Sequence, residues 1–136
     1  MKGGKKVNTS PLEDYEQIAF VEWLDLQELK YTSIPNNTYT KSWNQKLKNK
    51  RMGLHPGLSD LLVLVSPEKS KDGAGYALFI EMKRVKGGVQ SKSQKEWETA
   101  LNGLRTPHVQ YYLCCGANEA IKVVSHYLDR VNNDIF

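Results

Sequence analysis

Three residues of this 136-residue chain have types and spacing suited to chemistry on a divalent cation: Asp60, Glu81 and Lys83. The run Leu78-Phe79-Ile80-Glu81-Met82-Lys83 reads as a strand. Strand alternation puts Glu81 and Lys83 on one face, about 6–7 Å apart, with Ile80 and Met82 on the other. A strand this apolar is expected in the interior, where an ionised pair near its end is costly without partners. Asp60 opens the neighbouring apolar run and can supply a second carboxylate at the same sheet edge. Carboxylate oxygens suit hard Mg²⁺, which takes few protein ligands and keeps several waters. Such an ion polarises a phosphoryl oxygen and lowers the pKa of water. Lys83 could orient that water or offset charge on a pentavalent transition state. The chemistry is that of phosphodiester hydrolysis. An isolated Glu-x-Lys on a strand is more commonly a plain salt bridge, so the neighbouring motifs decide its weight.

Those neighbours include Glu16, on a predicted helix one turn before Phe20 and two before Trp23, so the three share a flank. Glu16 reads equally as a carboxylate aimed at the core edge or as an acid favoured by the dipole near a helix N-terminus. Downstream, Ser91 with Gln94 and Ser93 with Glu96 each spell a capping box. One of them is expected to cap the following helix. Gln94 could instead hydrogen-bond a reactive water or a DNA phosphate.

The elements that must position these groups follow from periodicity. Residues 1–12 read as a loose basic tail and residues 13–136 as one domain. Ile18, Val21, Trp23, Leu24 and Leu29 predict a helix over 13–30. Residues 31–40 predict a short strand broken by a turn at Pro35-Asn36-Asn37, and the basic residues 41–52 a short helix. Leu61 to Val65 predicts a strand buried on both faces. Tyr76 to Lys83 and Val109 to Cys114 predict two further strands, with helices over 92–104 and 118–130. The order implies an α/β fold, a small mixed β-sheet flanked by helices.

Composition narrows the class. Hydrophobic residues make up 40% and charged residues 25%, an ordinary globular balance. No stretch approaches the roughly 20 apolar residues that span a bilayer, and no apolar run follows the first lysines, so a cytoplasmic protein without a membrane partner is expected. The adjacent Cys114 and Cys115 are too constrained to bridge on a strand and are expected as small buried hydrophobes. His55, His108 and His126 are scattered, which argues against zinc. The net charge of +4 suits a polyanion. Its distribution says more: Lys41, Lys46, Lys48, Lys50 and Arg51 form one run, and Lys83, Arg84, Lys86, Lys92 and Lys95 another. A charge run is usually a solvated face, yet each of these borders a candidate site residue.

The ordered set Glu16-Gln17, Ile34-Pro35-Asn36, Gly57-Leu58-Ser59-Asp60-Leu61, Phe79-Ile80-Glu81-Met82-Lys83-Arg84 and Ser91 through Gln94 with Trp97 resembles the VRR-NUC branch of the PD-(D/E)xK nucleases. The resemblance spans roughly residues 13–130 and is to the short, standalone phage or prophage form. It implies a restriction-endonuclease-like core and Mg²⁺- or Mn²⁺-dependent DNA cleavage, with no small-molecule cofactor. It further implies metal ligation by Asp60, Glu81 and the Met82 main-chain carbonyl. Lys83 would be the catalytic lysine, Glu16 the helix-borne acid and a further candidate ligand, and Gln94 the auxiliary polar residue. Standalone members are similar to homodimers that cut branched DNA such as Holliday (four-way) junctions. Lys41, Lys46, Lys48, Lys50, Arg51, Arg84 and Lys86 would then contact DNA phosphates. Ser59 stands where the family usually has Pro, which implies a looser loop before Asp60. Asn37-Thr38 replaces a Gly pair. A non-catalytic DNA-binding module of the same fold, or a subunit of a larger nuclease machine, is the competing expectation.

Overall fold

The computed structural model describes residues 10–35 and 41–133. Along the chain run α1 (Ser10–Leu26), β1 (Lys30–Ser33), α2 (Trp43–Arg51), β2 (Leu61–Val65), β3 (Tyr76–Lys83), α3 (Lys92–Asn102), β4 (Val109–Cys115) and α4 (Ala117–Ser125). The strands form a four-stranded sheet in the order β1-β2-β3-β4. The first two pairings are antiparallel, and β3 lies parallel to β4 through the α3 crossover. This is the α/β arrangement expected, a mixed sheet flanked by helices.

Alternation along β3 divides the molecule in two. Leu78, Ile80 and Met82 point to one face and join Phe20 and Leu24 of α1, Leu61, Val63 and Val65 of β2, Cys114 of β4, and Ala120 and Val124 of α4 in a single core. Phe79, Glu81 and Lys83 point the other way, toward α3. That second face is covered incompletely. No residue of α3 is fully buried, and Leu64 of β2 is 40% exposed. The two-sided burial expected for β2 therefore holds on one side only, because α3 sits over β4 rather than over β2.

Helix α1 starts at Ser10, inside the stretch read as a tail, and stops at Leu26, four residues before the expected end at Lys30. Glu28 adopts a left-handed φ of 57°, which ends the helix, and the Lys69 ammonium donates to the Gln27 and Glu28 carbonyls at 3.0 and 2.6 Å. Leu29 still packs in the core from beyond the helix, whereas Ile18, expected on the apolar face, is exposed. The rest of the expected tail and the turn at Asn36-Asn37-Thr38 lie outside the described residues. Cys114 and Cys115 are both free, but only Cys114 is buried; Cys115 is half-buried, on the α3 side.

Helix α4 begins at Gly116, which has φ 98° and no side chain to cap the helix. The cap comes from far away in sequence. The Ala117 N–H donates to Glu16 Oε1 at 2.7 Å, joining the first helix to the last. Glycine suits 116 because φ 98° strains any residue with a side chain, and a Cβ there would also stand 2.9 Å from Val85 Cγ2 and 3.1 Å from Glu16 Oε1. A side-chain cap of this kind on a helix N-terminus contributes about 1–2 kcal/mol. Glu16→Ala is expected to lower the unfolding free energy by that amount in a urea titration; an unchanged midpoint would show that the cap carries no stability.

Candidate active site

The β2–β3 register pairs Leu61 with Ile80, so the next residues out, Asp60 and Glu81, stand opposite each other at the sheet end. The Asp60 N–H donates to the Ile80 carbonyl at 3.1 Å, and the Ile34 N–H donates to the Asp60 carbonyl at 2.8 Å. Asp60 is thus pinned from both neighbouring strands. Its Oδ2 accepts the Met82 N–H at 2.7 Å. In a strand the N–H and C=O of one residue point the same way, so the Met82 carbonyl also faces the Asp60 side. Ser59, in place of the expected Pro, is fully buried, and its hydroxyl donates to the Leu61 carbonyl at 3.1 Å. A hydrogen bond thus ties the loop to the start of β2 where the family's ring is missing.

Glu81 is 4% exposed and Lys83 8%. The Lys83 Nζ lies 3.5 Å from Glu81 Oε2. Gln94 divides its amide between two tasks. Its Oε1 accepts the Ser91 N–H at 2.8 Å, completing the capping box of α3. Its Nε2 donates to Glu81 Oε2 at 2.8 Å. The capping reading of Gln94 therefore holds, and its remaining amide protons reach Glu81 rather than solvent. The alternative box at Ser93 and Glu96 does not form the cap.

Burial, and then the facing Asp60 carboxylate, push Glu81 up to about 8, against a smaller opposing pull from Lys83. Tyr111, on the same face of β4, is raised to about 12, chiefly by burial and further by the charges of Glu81, Glu98 and Asp60. Asp60 and Glu81 open onto a pocket. It holds about 320 Å³ and is lined by Asp60, Glu81, Gln94, Ser91 and Ser93, with Ile34, Pro35, Pro56 and Gly57 as walls. Gly57 has φ 95°, and a Cβ there would meet Ser93 Oγ at 2.6 Å, so only glycine lets the β2 loop approach α3. A wider cleft of about 610 Å³ lies elsewhere, between Leu26–Glu28 and Leu128–Asn132. Its lysine, Lys69, is already engaged in closing the end of α1.

The donor set fits a hard divalent cation. Two carboxylates and a main-chain carbonyl are oxygen ligands, and Mg²⁺ commonly takes one or two carboxylates and keeps its waters. A cage made wholly of side chains is absent: among the described residues no three His, Cys, Asp or Glu groups converge. Glu16 is not brought to this centre. Its carboxylate is committed to the N-terminus of α4, and it does not line the pocket.

Of the expected DNA contacts, Lys41, Lys46, Lys48, Lys50 and Arg51 are exposed on and just before α2, and Lys86 is exposed on the loop after β3. Arg84 is half-buried, and its guanidinium donates to the Gly87 carbonyl at 2.9 Å. Sequence reasoning missed Tyr111 and the packing role of Gly57. The Pro56-Gly57 step signalled a turn but not its partner. Nothing in the apolar run around Tyr111 marked it.

The two central strands of the sheet thus end in facing carboxylates beside a lysine. The VRR-NUC domain family model matches residues 5–118. The chain belongs to the VRR-NUC family, whose members are nuclease domains. A solved structure described as a VRR_NUC domain protein superposes with a TM-score of 0.64 at 23% identity, covering 90% of each chain, which supports the fold. No curated protein sequence matches significantly. No helix among the described residues is long and apolar enough to cross a membrane.

The raised Glu81 has a consequence for stability. Below about 4.5, its ordinary value, the carboxyl is protonated in folded and unfolded chains alike. Between there and about 8 the unfolded chain releases the proton and the folded chain keeps it, so this group's contribution to stability falls as pH rises. In EDTA, the thermal midpoint of Glu81→Gln is expected to gain on wild type across that window, by about 4 °C for each kcal/mol relieved. A gap between the two that stays constant with pH would refute the assignment.

Proposed function

We propose that this chain is a Mg²⁺- or Mn²⁺-dependent endodeoxyribonuclease that hydrolyses phosphodiester bonds in branched DNA as a homodimer. The observation that carries the reading is the facing pair Asp60 and Glu81, with the Met82 carbonyl beside them and Lys83 at 3.5 Å from Glu81. A divalent cation bound there would supply Lewis-acid polarisation of the scissile phosphate and a more acidic water. Asp60, Glu81 and the Met82 carbonyl would hold it. Lys83 stabilises charge that grows on the phosphoryl oxygens. Gln94 keeps Glu81 in its rotamer through the Nε2 bond. Glu16 acts at a distance, by fastening α4 against α1.

Lys41, Lys46, Lys48, Lys50, Arg51, Arg84 and Lys86 offer the phosphate contacts, giving binding that weakens with salt. A single site of this kind cuts one strand. Two strands of a junction therefore call for two copies related by a twofold axis. The four-way-junction preference, the phage or prophage type and action in the cytoplasm extend the motif resemblance and follow from it.

A labelled four-way junction incubated with wild type and Mg²⁺ or Mn²⁺ is expected to be cut, and EDTA to abolish the cutting. Lys83→Ala should lose about 10²–10³-fold in kcat with DNA affinity nearly unchanged, and Glu81→Ala should be inactive. Cleavage that persists in EDTA, or in Glu81→Ala, would sink the reading. Light scattering that finds a monomer on DNA would remove the dimer from it.

A further inference from the structure

Helix α2 has a composition and setting that stability does not explain. From Leu29 to Ser59 the chain contains no Asp or Glu, while Lys30, Lys41, Lys46, Lys48, Lys50 and Arg51 fall within it. The helix buries none of its side chains. Its N-cap Ser42 accepts the Gln45 N–H at 3.2 Å, and Gln45 bonds Asn49 at 2.7 Å along one flank. The opposite flank, at helical spacing, carries Trp43, Lys46, Leu47, Lys50 and Arg51. Trp43 is 69% exposed. The other tryptophans, Trp23 and Trp97, are half-buried, and Trp97 donates to the Pro56 carbonyl.

The feet of this excursion stand on the active-site pocket. Ile34 and Pro35 on the way out and Pro56 and Gly57 on the way back are its walls. A nine-residue helix extends about 13 Å, and both ends of the segment that carries its cations border the pocket of Asp60 and Glu81. The lysines suit the phosphates of any duplex. An exposed indole does not, because a paired and stacked base offers it no face. An unpaired base does, and stacking on an aromatic side chain is worth about 1–3 kcal/mol. A second copy of this helix is a poor occupant, since twofold packing would set lysines against lysines with no acid in the segment to pair them.

We propose that α2 is the branch-sensing element: Trp43 stacks on a base face left open at a branch or an unpaired end while Lys46, Lys50 and Arg51 hold the adjoining phosphates. This rests on the nuclease reading for its geometry, but it concerns binding and is tested without cleavage. Fluorescence anisotropy in EDTA compares two labelled DNAs of equal length, a continuous duplex and a duplex ending in an unpaired fork. Trp43→Ala is expected to weaken fork binding about 10-fold and duplex binding less than about 2-fold, with Trp43→Phe restoring most of the difference. Lys46→Ala with Lys50→Ala should weaken both DNAs alike and lower the salt slope by about 2. Because α2 buries nothing, the thermal midpoint of Trp43→Ala should match wild type. Equal losses on the two DNAs, or none, would overturn the proposal. So would a Trp43→Ala protein that changes from dimer to monomer, which would make α2 an interface between copies. Fork discrimination that depends on Trp43, in a protein that cuts neither these DNAs nor a four-way junction when Mg²⁺ is added, would leave this inference standing and remove only the catalytic one.

Discussion

Antiparallel pairing of β2 with β3 sets two like charges across from one another, and the character of the site follows from that constraint. With Leu61 on Ile80, Asp60 must face Glu81. Glu81 is also buried, so its ionised form is disfavoured twice, by lost hydration and by the neighbouring carboxylate. Lys83 and Gln94 offset this in part, one by charge at 3.5 Å and one by a hydrogen bond at 2.8 Å. The net direction on Glu81 is still upward. Two carboxylates held this close beside a pocket of about 320 Å³ are a poor device for stability and a good one for holding a cation.

Such a centre persists because the other face of the same strands is strongly stabilising. Ile80 and Met82 alternate with Glu81 and Lys83 and are almost completely buried against α1 and α4. At about 1.5–3 kcal/mol for each fully buried large apolar side chain, that face tolerates a strained neighbour one residue away. The Glu16 contact belongs to this stabilising side. By capping α4 across the length of the chain it holds the two helices that close the core. The acid on the first helix serves the centre through the fold rather than by touching it.

What could be read before the structure was whatever depends on local pattern. The bounds of β3 are those its apolar run indicated, and β4 runs one residue further than expected. The convergence of Asp60, Glu81, Lys83 and Gln94 was legible because strand parity and motif order both point to it. The misreadings share a cause in tertiary geometry. Ile18 fitted the apolar periodicity yet is exposed, because α1 meets the sheet along Phe20 and Leu24. Leu64 reads as core within an unbroken apolar run, yet α3 does not extend over β2. Glu16 could not be placed from pattern alone, since its partner, the Ala117 N–H, is 101 residues away and is left without a local cap only because residue 116 is glycine.

The charges of the two halves of the site have opposite sign, and the order matters. The centre is acidic, while the segment leading into it, from Leu29 to Ser59, carries only positive charge. A polyanion would be repelled by Asp60 and Glu81 alone. The lysines of that segment would draw the backbone in, over a range that salt screens to roughly 8–10 Å under physiological conditions, and a cation between the carboxylates would turn the remaining repulsion into a bridge. On the nuclease reading, nucleic acid and cation therefore bind with positive coupling, each lowering the electrostatic cost of the other. An acidic centre without its basic approach would bind metal and miss its substrate, and a basic arm without the acidic centre would hold DNA and do nothing to it.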